Sequence, residues 1–179
     1  IIYFQKILKF EGKYPIIRER RRCPMKDDSI LQLVTFKLEN DEFGVDILRV
    51  QEINRMMNIT KIPNAPTFTE GVINLRGKII PIIDLRKKLG FVSRVYDKST
   101  RIIVVELDGI VLGFVVDSVS EVLRIPRDII EPPPSIIGNV ESDFIEGVGK
   151  LQDRLLILLE LKKIFTNTER KGIEKINLN

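Results

Sequence analysis

The chain has 179 residues and a formal charge of +4 at pH 7, with 44% apolar and 30% charged residues. This composition is typical of a globular protein, and no apolar run approaches the roughly 20 residues of a membrane-spanning helix. The single cysteine, Cys23, excludes an intramolecular disulfide, and the chain has no histidine for metal binding or acid–base catalysis. With no phosphate-binding or dinucleotide-binding glycine motif either, the sequence predicts no metal, no cofactor and no enzyme activity.

The positive charge is confined to the first 24 residues, which carry a net +5, whereas residues 25–179 carry a net −1. We expect residues 1–24 to be a non-native or disordered extension, with Met25 as the natural start. A genuine basic extension that contacts an acidic partner or a membrane surface is the alternative. The near-neutral body argues against nucleic acid as its partner.

The first half of the body is predicted to begin with short strands. Leu31–Leu38 alternates between apolar and polar residues, and a polar turn leads into a second strand at Glu42–Ile47. Residues 46–54 are typical of either a helical turn or a bent strand. Ile59–Ile62 is predicted as a further short strand.

A hairpin is predicted around Arg76-Gly77, between the apolar runs Val72–Leu75 and Ile79–Ile83. Glycine adopts positive φ at little cost, which favours a tight turn. Pro81 cannot donate a ladder hydrogen bond, so we expect it at an edge or a bulge. Asp84 is expected to cap a short helix.

That helix is predicted at Leu85–Leu89 and is expected to end at Gly90. A polar connection over residues 91–99 leads to the second half. There Asp108-Gly109 is the strongest hairpin signal in the chain. The other predicted elements are strands at Arg101–Leu107, Ile110–Val116, Val119–Ile125 and Leu155–Leu159, a long loop over Pro126–Asp143, a helix at Glu160–Phe165 and a polar tail that frays over Thr166–Asn179.

The second half repeats the first. An offset of 69 matches Gly44 with Gly113, Val50 with Val119, Glu52 with Glu121 and Pro63 with Pro132, and an offset of 76 matches the Gly71 hairpin with residues 147–161. The chain therefore contains two copies of one unit of roughly 65 residues. We predict a mainly β domain over 25–168, with lobe 1 at about 30–90, lobe 2 at about 99–166 and a tail at 169–179. Two small β-barrels that share an apolar core, with short helices, would bury both faces of the apolar strands.

Several residues are candidates for a structural or a binding role. Acidic residues recur at predicted element ends, where they are expected to cap turns and helices; they are Asp46, Asp84, Asp117 and Glu160. Ile47, Val50 and Ile53 recur every three residues, so they form either part of the core or an apolar row that faces a partner. Arg76 is either a solvated turn residue or a binding residue. Its match in the second copy is Gln152, and this asymmetry favours a function for the first turn.

Two other functions are open at this point. Small β-barrels bind single-stranded nucleic acid by stacking bases on aromatic residues in a basic groove. Here the Phe and Tyr residues are scattered and mostly at core positions, which argues against that function. An enzyme of unknown type is the other alternative. With these two functions disfavoured, the sequence favours a protein that acts by binding other proteins.

Four segments resemble the CheW family of bacterial chemotaxis coupling proteins. They are residues 43–53, 70–86, 113–123 and 154–161, and the resemblance covers about residues 30–165 in order and without a large gap. The Asn-Leu-Arg-Gly run at 74–77 is specific in that context.

The resemblance implies two five-stranded SH3-like β-barrels around a shared core and no catalytic activity. It also implies a cytoplasmic adaptor, recruited to membrane-associated receptor arrays, that bridges chemoreceptor signalling tips to the regulatory domain of the histidine kinase CheA. Neither nucleic acid nor direct membrane insertion is implied. The residues that match the family's interaction positions are Ile47, Val50, Glu52, Gly71, Arg76 and Val122.

Overall fold

The computed structural model describes residues 29–133 and 143–177, so the predicted extension over residues 1–24 lies outside the described residues. The described residues form eleven strands and two α-helices. The strands are β1 (Ile30–Leu38), β2 (Asp41–Asp46), β3 (Val50–Arg55), β4 (Thr69–Leu75), β5 (Lys78–Asp84), β6 (Arg101–Leu107), β7 (Ile110–Val116), β8 (Ser118–Pro126), β9 (Ile130–Glu131), β10 (Ile145–Lys150) and β11 (Leu155–Leu159). The helices are α1 (Leu85–Lys88) and α2 (Asn167–Asn177), and 3-10 turns lie at Ile47–Arg49, Arg127–Ile129 and Leu161–Lys163.

The strands form two sheets, and each sheet contains strands from both copies. The six-stranded sheet has the order β8-β1-β2-β11-β10-β9, and the five-stranded sheet has the order β3-β6-β7-β5-β4. Each copy thus places its first hairpin in one sheet and its last hairpin in the other. The parallel pairs β2–β11 and β5–β7 join the hairpins of different copies. The prediction of a mainly β fold is confirmed.

The two sheets repeat one another in register as well as in order. Val34 pairs with Val45 in β1–β2, and the residues 69 positions later, Ile103 and Phe114, pair in β6–β7. The strand register of the first hairpin in each copy therefore follows the sequence repeat.

The apolar residues form one large cluster between the sheets and a smaller cluster on each sheet. Alternate residues of a strand face different clusters: Ile103 lies in the large one and Ile102 in a small one. Both faces of β6 are therefore buried, which explains its continuous apolar sequence. In the apolar runs Ile79–Ile83 and Leu155–Leu159, the first residue is not buried. Ile79 is 42% exposed and Leu155 is 59% exposed.

Pro81 was predicted at an edge strand or a bulge, and it lies at neither, because the bulge of β4–β5 is between Thr69 and Gly71, opposite Ile83 and Ile82. The strand of Pro81, β5, is flanked by β7 and β4. The parallel pairing with β7 starts only at Ile82, however, while Pro81 faces Val72 of β4. On the β7 side, Pro81 therefore precedes the ladder, where no backbone donor is needed.

The structure differs from the sequence prediction in three helical segments and in one strand. The helix after Asp84 is α1, of four residues, and the predicted second helix is the 3-10 turn Leu161–Lys163. The prediction that the C-terminal tail frays is wrong, because it contains α2 with Ile173 buried. Of the strand predicted at 59–62, only an isolated bridge between Thr60 and Val72 is present.

Candidate partner-binding surface

Glu52 and Arg76 form an ion pair that closes one end of the five-stranded sheet. The Arg76 Nη2 atom lies 2.9 Å from Glu52 Oε2, and the two side chains are 65% and 25% exposed. Glu52 lies on β3 and Arg76 follows β4, at opposite ends of the strand order, so the sheet curls to bring them together. An exposed pair of this kind contributes no more than about 1 kcal/mol to stability. Its effect is to fix the direction of the guanidinium.

The turn that presents Arg76 is left-handed at both loop residues, like the Asp108-Gly109 turn between β6 and β7. Arg76 has φ +54° and Gly77 has φ +84°, which is the conformation of a type I′ turn. Glycine adopts it freely, whereas a residue with a side chain pays about 1–2 kcal/mol for the left-handed region. Outliers of this kind concentrate at functional sites.

The apolar candidates at the start of β3 are only partly available to a partner. Ile47 and Val50 are half-buried and pack against the large core cluster. Just before them, the carboxylate of Asp46 accepts a 2.9 Å hydrogen bond from Leu48 N, which starts the 3-10 turn. This turn leaves Leu48 81% exposed. Sequence reasoning missed Leu48 because it is out of phase with the three-residue spacing of Ile47, Val50 and Ile53.

Gly71 is buried, and its contacts are within the chain. A Cβ atom added to Gly71 would lie 2.1 Å from the carbonyl oxygen of Thr60, and the residue has φ +144°. The close backbone approach at this glycine is therefore between its own strand and residue 60. Gly71 therefore shapes the hairpin whose turn contains Arg76.

Val122 lies in the six-stranded sheet, whereas Val50, Glu52 and Gly71 lie in the five-stranded sheet. Ile47 and Arg76 lie in turns next to strands of that second sheet. Val122 is 42% exposed on the edge strand β8, beside an ion pair in which Arg154 Nη2 lies 2.6 Å from Glu121 Oε1. Arg154 Nε also lies 3.2 Å from the buried carboxylate of Glu42. The hydrogen bond to Glu121, helped by the charge of Glu42, raises the pKa of the Arg154 guanidinium above its ordinary value.

Glu121 is the repeat equivalent of Glu52, so each copy has a Glu–Arg pair between its third strand and its last hairpin. The sequence comparison missed Arg154 because the match for Arg76 was Gln152. The arginine of the second copy lies two residues later, at the far side of the turn. The preserved match of Glu52 with Glu121 was the signal that could have found it.

A buried ion pair joins the two copies away from these surfaces. Arg86 of α1 donates to both carboxylate oxygens of Asp117 at 2.7 Å, and to the carbonyl of Val92 at 2.6 Å. Burial alone would raise the pKa of Asp117, but the hydrogen bonds from Arg86 and from Glu39 N hold this pKa below its ordinary value. The Asp117 bond in turn raises the pKa of Arg86. This network is structural, since it fixes α1 to the junction of β7 and β8.

Asp46, Asp84 and Glu160 cap turns or helices as predicted, each accepting a hydrogen bond from a backbone N–H of the following turn. Within the residues that the structure describes, no group of His, Cys, Asp and Glu side chains is arranged to hold a metal ion. Over the same ranges, no helix has the length and apolar character needed to cross a membrane.

Comparison with known proteins places the chain among chemotaxis proteins. A family model described as the CheW-like domain matches residues 32–169. The chain is 39% identical over 145 residues to "Chemotaxis protein CheW" of Klebsiella aerogenes, covering 81% of this chain and 87% of the relative. It is 32% identical over 161 residues to "Chemotaxis protein CheW" of Treponema pallidum, covering 87% and 95%.

A solved structure is also similar. The scaffolding protein TtCheW from Thermoanaerobacter tengcongensis superposes with a TM-score of 0.72 at 40% identity, covering 86% of this chain and 96% of that one. All six candidate residues fall inside the matched range of 32–169, whereas α2 extends beyond it.

Proposed function

Because the chain belongs to the CheW-like family, we propose that it is a non-catalytic adaptor coupling methyl-accepting chemoreceptors to the histidine kinase CheA in signalling arrays. The observation that carries the proposal is the match over residues 32–169, with relatives described as chemotaxis proteins and a solved scaffolding protein. The adaptor acts in the cytoplasm, at membrane-associated arrays, and needs no cofactor. It transmits receptor state by fixing the regulatory domain of CheA against the receptor signalling tip.

The surface around Arg76 suits this role. Its guanidinium is exposed but held by Glu52, so it can meet an acidic or amide group of a partner without first losing much freedom. Ile47 and Val50 at the start of β3, and Val122 on the other sheet, expose part of their apolar surface, which a partner helix or strand would bury. One exposed arginine beside a glutamate, together with exposed apolar side chains, favours a protein partner over a nucleic acid.

The test is calorimetric titration of the full chain with the isolated regulatory domain of CheA, and separately with a receptor signalling tip. We expect Arg76→Glu to weaken at least one of these complexes by about tenfold or more. Its melting temperature should stay close to that of the wild type, because the lost ion pair is exposed.

Two control variants separate position from charge. Lys98→Glu makes the same change of charge at an exposed residue of the connection between the copies, and Gln152→Glu places a carboxylate at the equivalent turn of the second copy. Both should bind like the wild type. Unchanged binding of Arg76→Glu to both partners would refute the role of Arg76. Salt-dependent binding of a single-stranded oligonucleotide, with no binding to either protein, would favour the nucleic-acid alternative.

A further inference from the structure

We propose that Asn74 is a positioning residue for Arg76: its side chain holds the left-handed turn from which the guanidinium is aimed at a partner. The inference rests on the proposed function. It adds that the Asn74 side chain sets the backbone geometry from which Arg76 binds a partner. Asn74 is the last exposed residue of β4 before the turn, and it was identified in the sequence only as part of a family-like run.

The contact that carries the inference is a hydrogen bond across the turn. Gly77 N donates to Asn74 Oδ1 at 2.8 Å. In this hairpin, Asn74 pairs with Ile79 and Leu75 pairs with Lys78, so Arg76 and Gly77 are the two loop residues. The N–H of Gly77 lies outside the strand ladder, and the amide oxygen of Asn74 gives it an acceptor. The bond therefore stabilises the conformation that places Arg76 at φ +54°.

The second copy provides an internal comparison. Its equivalent hairpin joins β10 to β11, with Lys150, Gln152 and Asp153 at the positions of Asn74, Arg76 and Gly77. It closes by a hydrogen bond from Leu151 N to Arg154 O of 3.0 Å. None of these residues, all described by the structure, has a positive φ. The fold can therefore join these strands without a left-handed turn.

The left-handed arginine, its glycine and the asparagine that bonds the glycine thus occur together in one copy only. Asparagine is also a poor strand residue, and at this position it contributes no buried side chain. The second hairpin lacks this left-handed turn, and the turn costs conformational free energy. We therefore explain the turn by its effect on Arg76, whose guanidinium is also held by Glu52.

The experiment measures binding of the full chain to the CheA regulatory domain and to a receptor tip for Asn74→Ala, Asn74→Asp, Arg76→Ala and the double variant Asn74→Ala/Arg76→Ala. We expect Asn74→Ala to weaken the complex that Arg76 serves by about three- to tenfold, the worth of one hydrogen bond. Asn74→Asp keeps the acceptor oxygen and should bind within about twofold of the wild type. In the Arg76→Ala background, Asn74→Ala should cause no further loss, because the residue acts through Arg76.

Two readouts keep the test independent of overall stability. Amide hydrogen exchange of Gly77 should be slow in the wild type and in Asn74→Asp and fast in Asn74→Ala, whether or not a partner is present. Lys150→Ala, at the equivalent position of the second hairpin, should leave binding unchanged. Should Asn74→Ala lower the folded fraction, the exchange rate of Gly77 and the affinity of Asn74→Asp still decide the question.

The outcomes separate this inference from the proposed function. Wild-type affinity of Asn74→Ala together with weak binding of Arg76→Ala would overturn the positioning role and leave the proposed function intact. A further loss in the double variant would also overturn it, since Asn74 would then contact the partner itself. Wild-type affinity of Arg76→Ala for both partners would overturn both the role of Arg76 and the inference that depends on it.

Discussion

Gly71 and Gly147 hold the same position in the two copies, and at both a Cβ atom would meet the neighbouring chain segment. At Gly147 the nearest atoms would be Ile130 Cγ2 at 2.4 Å and the carbonyl oxygen of Glu131 at 2.8 Å. At Gly71 the nearest would be Thr60 O, at 2.1 Å. The repeat therefore conserves glycine at this point because a strand or bridge passes directly over the backbone.

We predict that Gly71→Ala destabilises the protein by about 3 kcal/mol or more. The added methyl group would clash with Thr60 O, and φ +144° is a conformation that residues with a Cβ rarely adopt. Chemical denaturation would measure the loss. Gly172→Ala is the matched control, because its Cβ would meet nothing within 4 Å in α2, and alanine in a helix interior should stabilise by about 0.5–1 kcal/mol. Equal stabilities of the two variants would contradict this reading of Gly71.

Sequence reasoning was effective at the residue scale where a side chain acts on its own backbone neighbours. Asp46 and Asp84 were predicted as caps, and Arg76-Gly77 as a turn, because such interactions span two to four residues. It could not place Arg154 beside both Glu121 and Glu42, because those contacts depend on which strands of different copies lie side by side. Nor could it distinguish the exposed Ile79 from the buried Ile80 within one apolar run.

At the scale of elements, α2 shows how a short polar helix is held. Thr166 and Glu169 form a capping box: Thr166 N donates to Glu169 Oε2 at 2.8 Å, and Glu169 N donates to Thr166 Oγ1 at 3.3 Å. Glu169 also binds Lys88 of α1, whose ammonium lies 4.7 Å from the centre of the Phe68 ring. The helix is thus fixed at its first turn, and Ile173 anchors the next. The Thr-x-x-Glu spacing of the capping box is visible in the sequence. The helix has too few apolar residues, however, for a helical hydrophobic period to predict it.

We predict that Glu169→Ala loosens α2 without unfolding the sheets. Amide exchange in 167–177 should become faster, and exchange in β6 and β7 should not change. Lys171→Ala, at an exposed position of the same helix, is the control and should not affect exchange. Uniformly faster exchange throughout the protein, or no change at all, would contradict a local role.

The same contact makes the docking of α2 sensitive to acid. Burial alone would raise the pKa of Glu169, but Lys88 and the N–H of Thr166 hold it below its ordinary value. A lowered pKa in the folded state means that the contact stabilises the protein above the ordinary pKa of glutamate, near 4.3. The stabilisation is lost as pH falls through the lowered value. The protection factors of the α2 amides, which correct for the intrinsic pH dependence of exchange, should therefore fall below about pH 4 in the wild type and change less over that range in Glu169→Ala.

For the molecule as a whole, the exchange of hairpins between sheets decides which part can fold alone. The repeat in the sequence predicted lobe 1 at about 30–90 and lobe 2 at about 99–166. In the structure, β1–β2 of the first copy lie between β8 and β11 of the second, while β6–β7 lie between β3 and β5. The period of a repeat shows that a unit is duplicated, but it carries no information on which copy supplies each strand of a sheet. That depends on packing between residues far apart in sequence.

We therefore predict that neither copy folds alone. Residues 30–90 on their own would lack both partners of the β1–β2 hairpin. The large core cluster, which draws Val34 and Phe36 from one copy and Ile103 and Phe114 from the other, would lose 11 of its 19 buried residues. Arg86 would lose both hydrogen bonds to Asp117 and keep only its longer 3.4 Å contact with Glu39, and removing one partner of a buried ion pair is strongly destabilising. Proton–nitrogen correlation spectra of 30–90 and of 99–177 should each be poorly dispersed, and mixing the two fragments should restore a dispersed spectrum close to that of the intact chain. A dispersed spectrum from 30–90 alone would mean that the hairpins can pair within one copy, and that the exchange seen here is one of two ways in which this duplicated sequence can close its sheets.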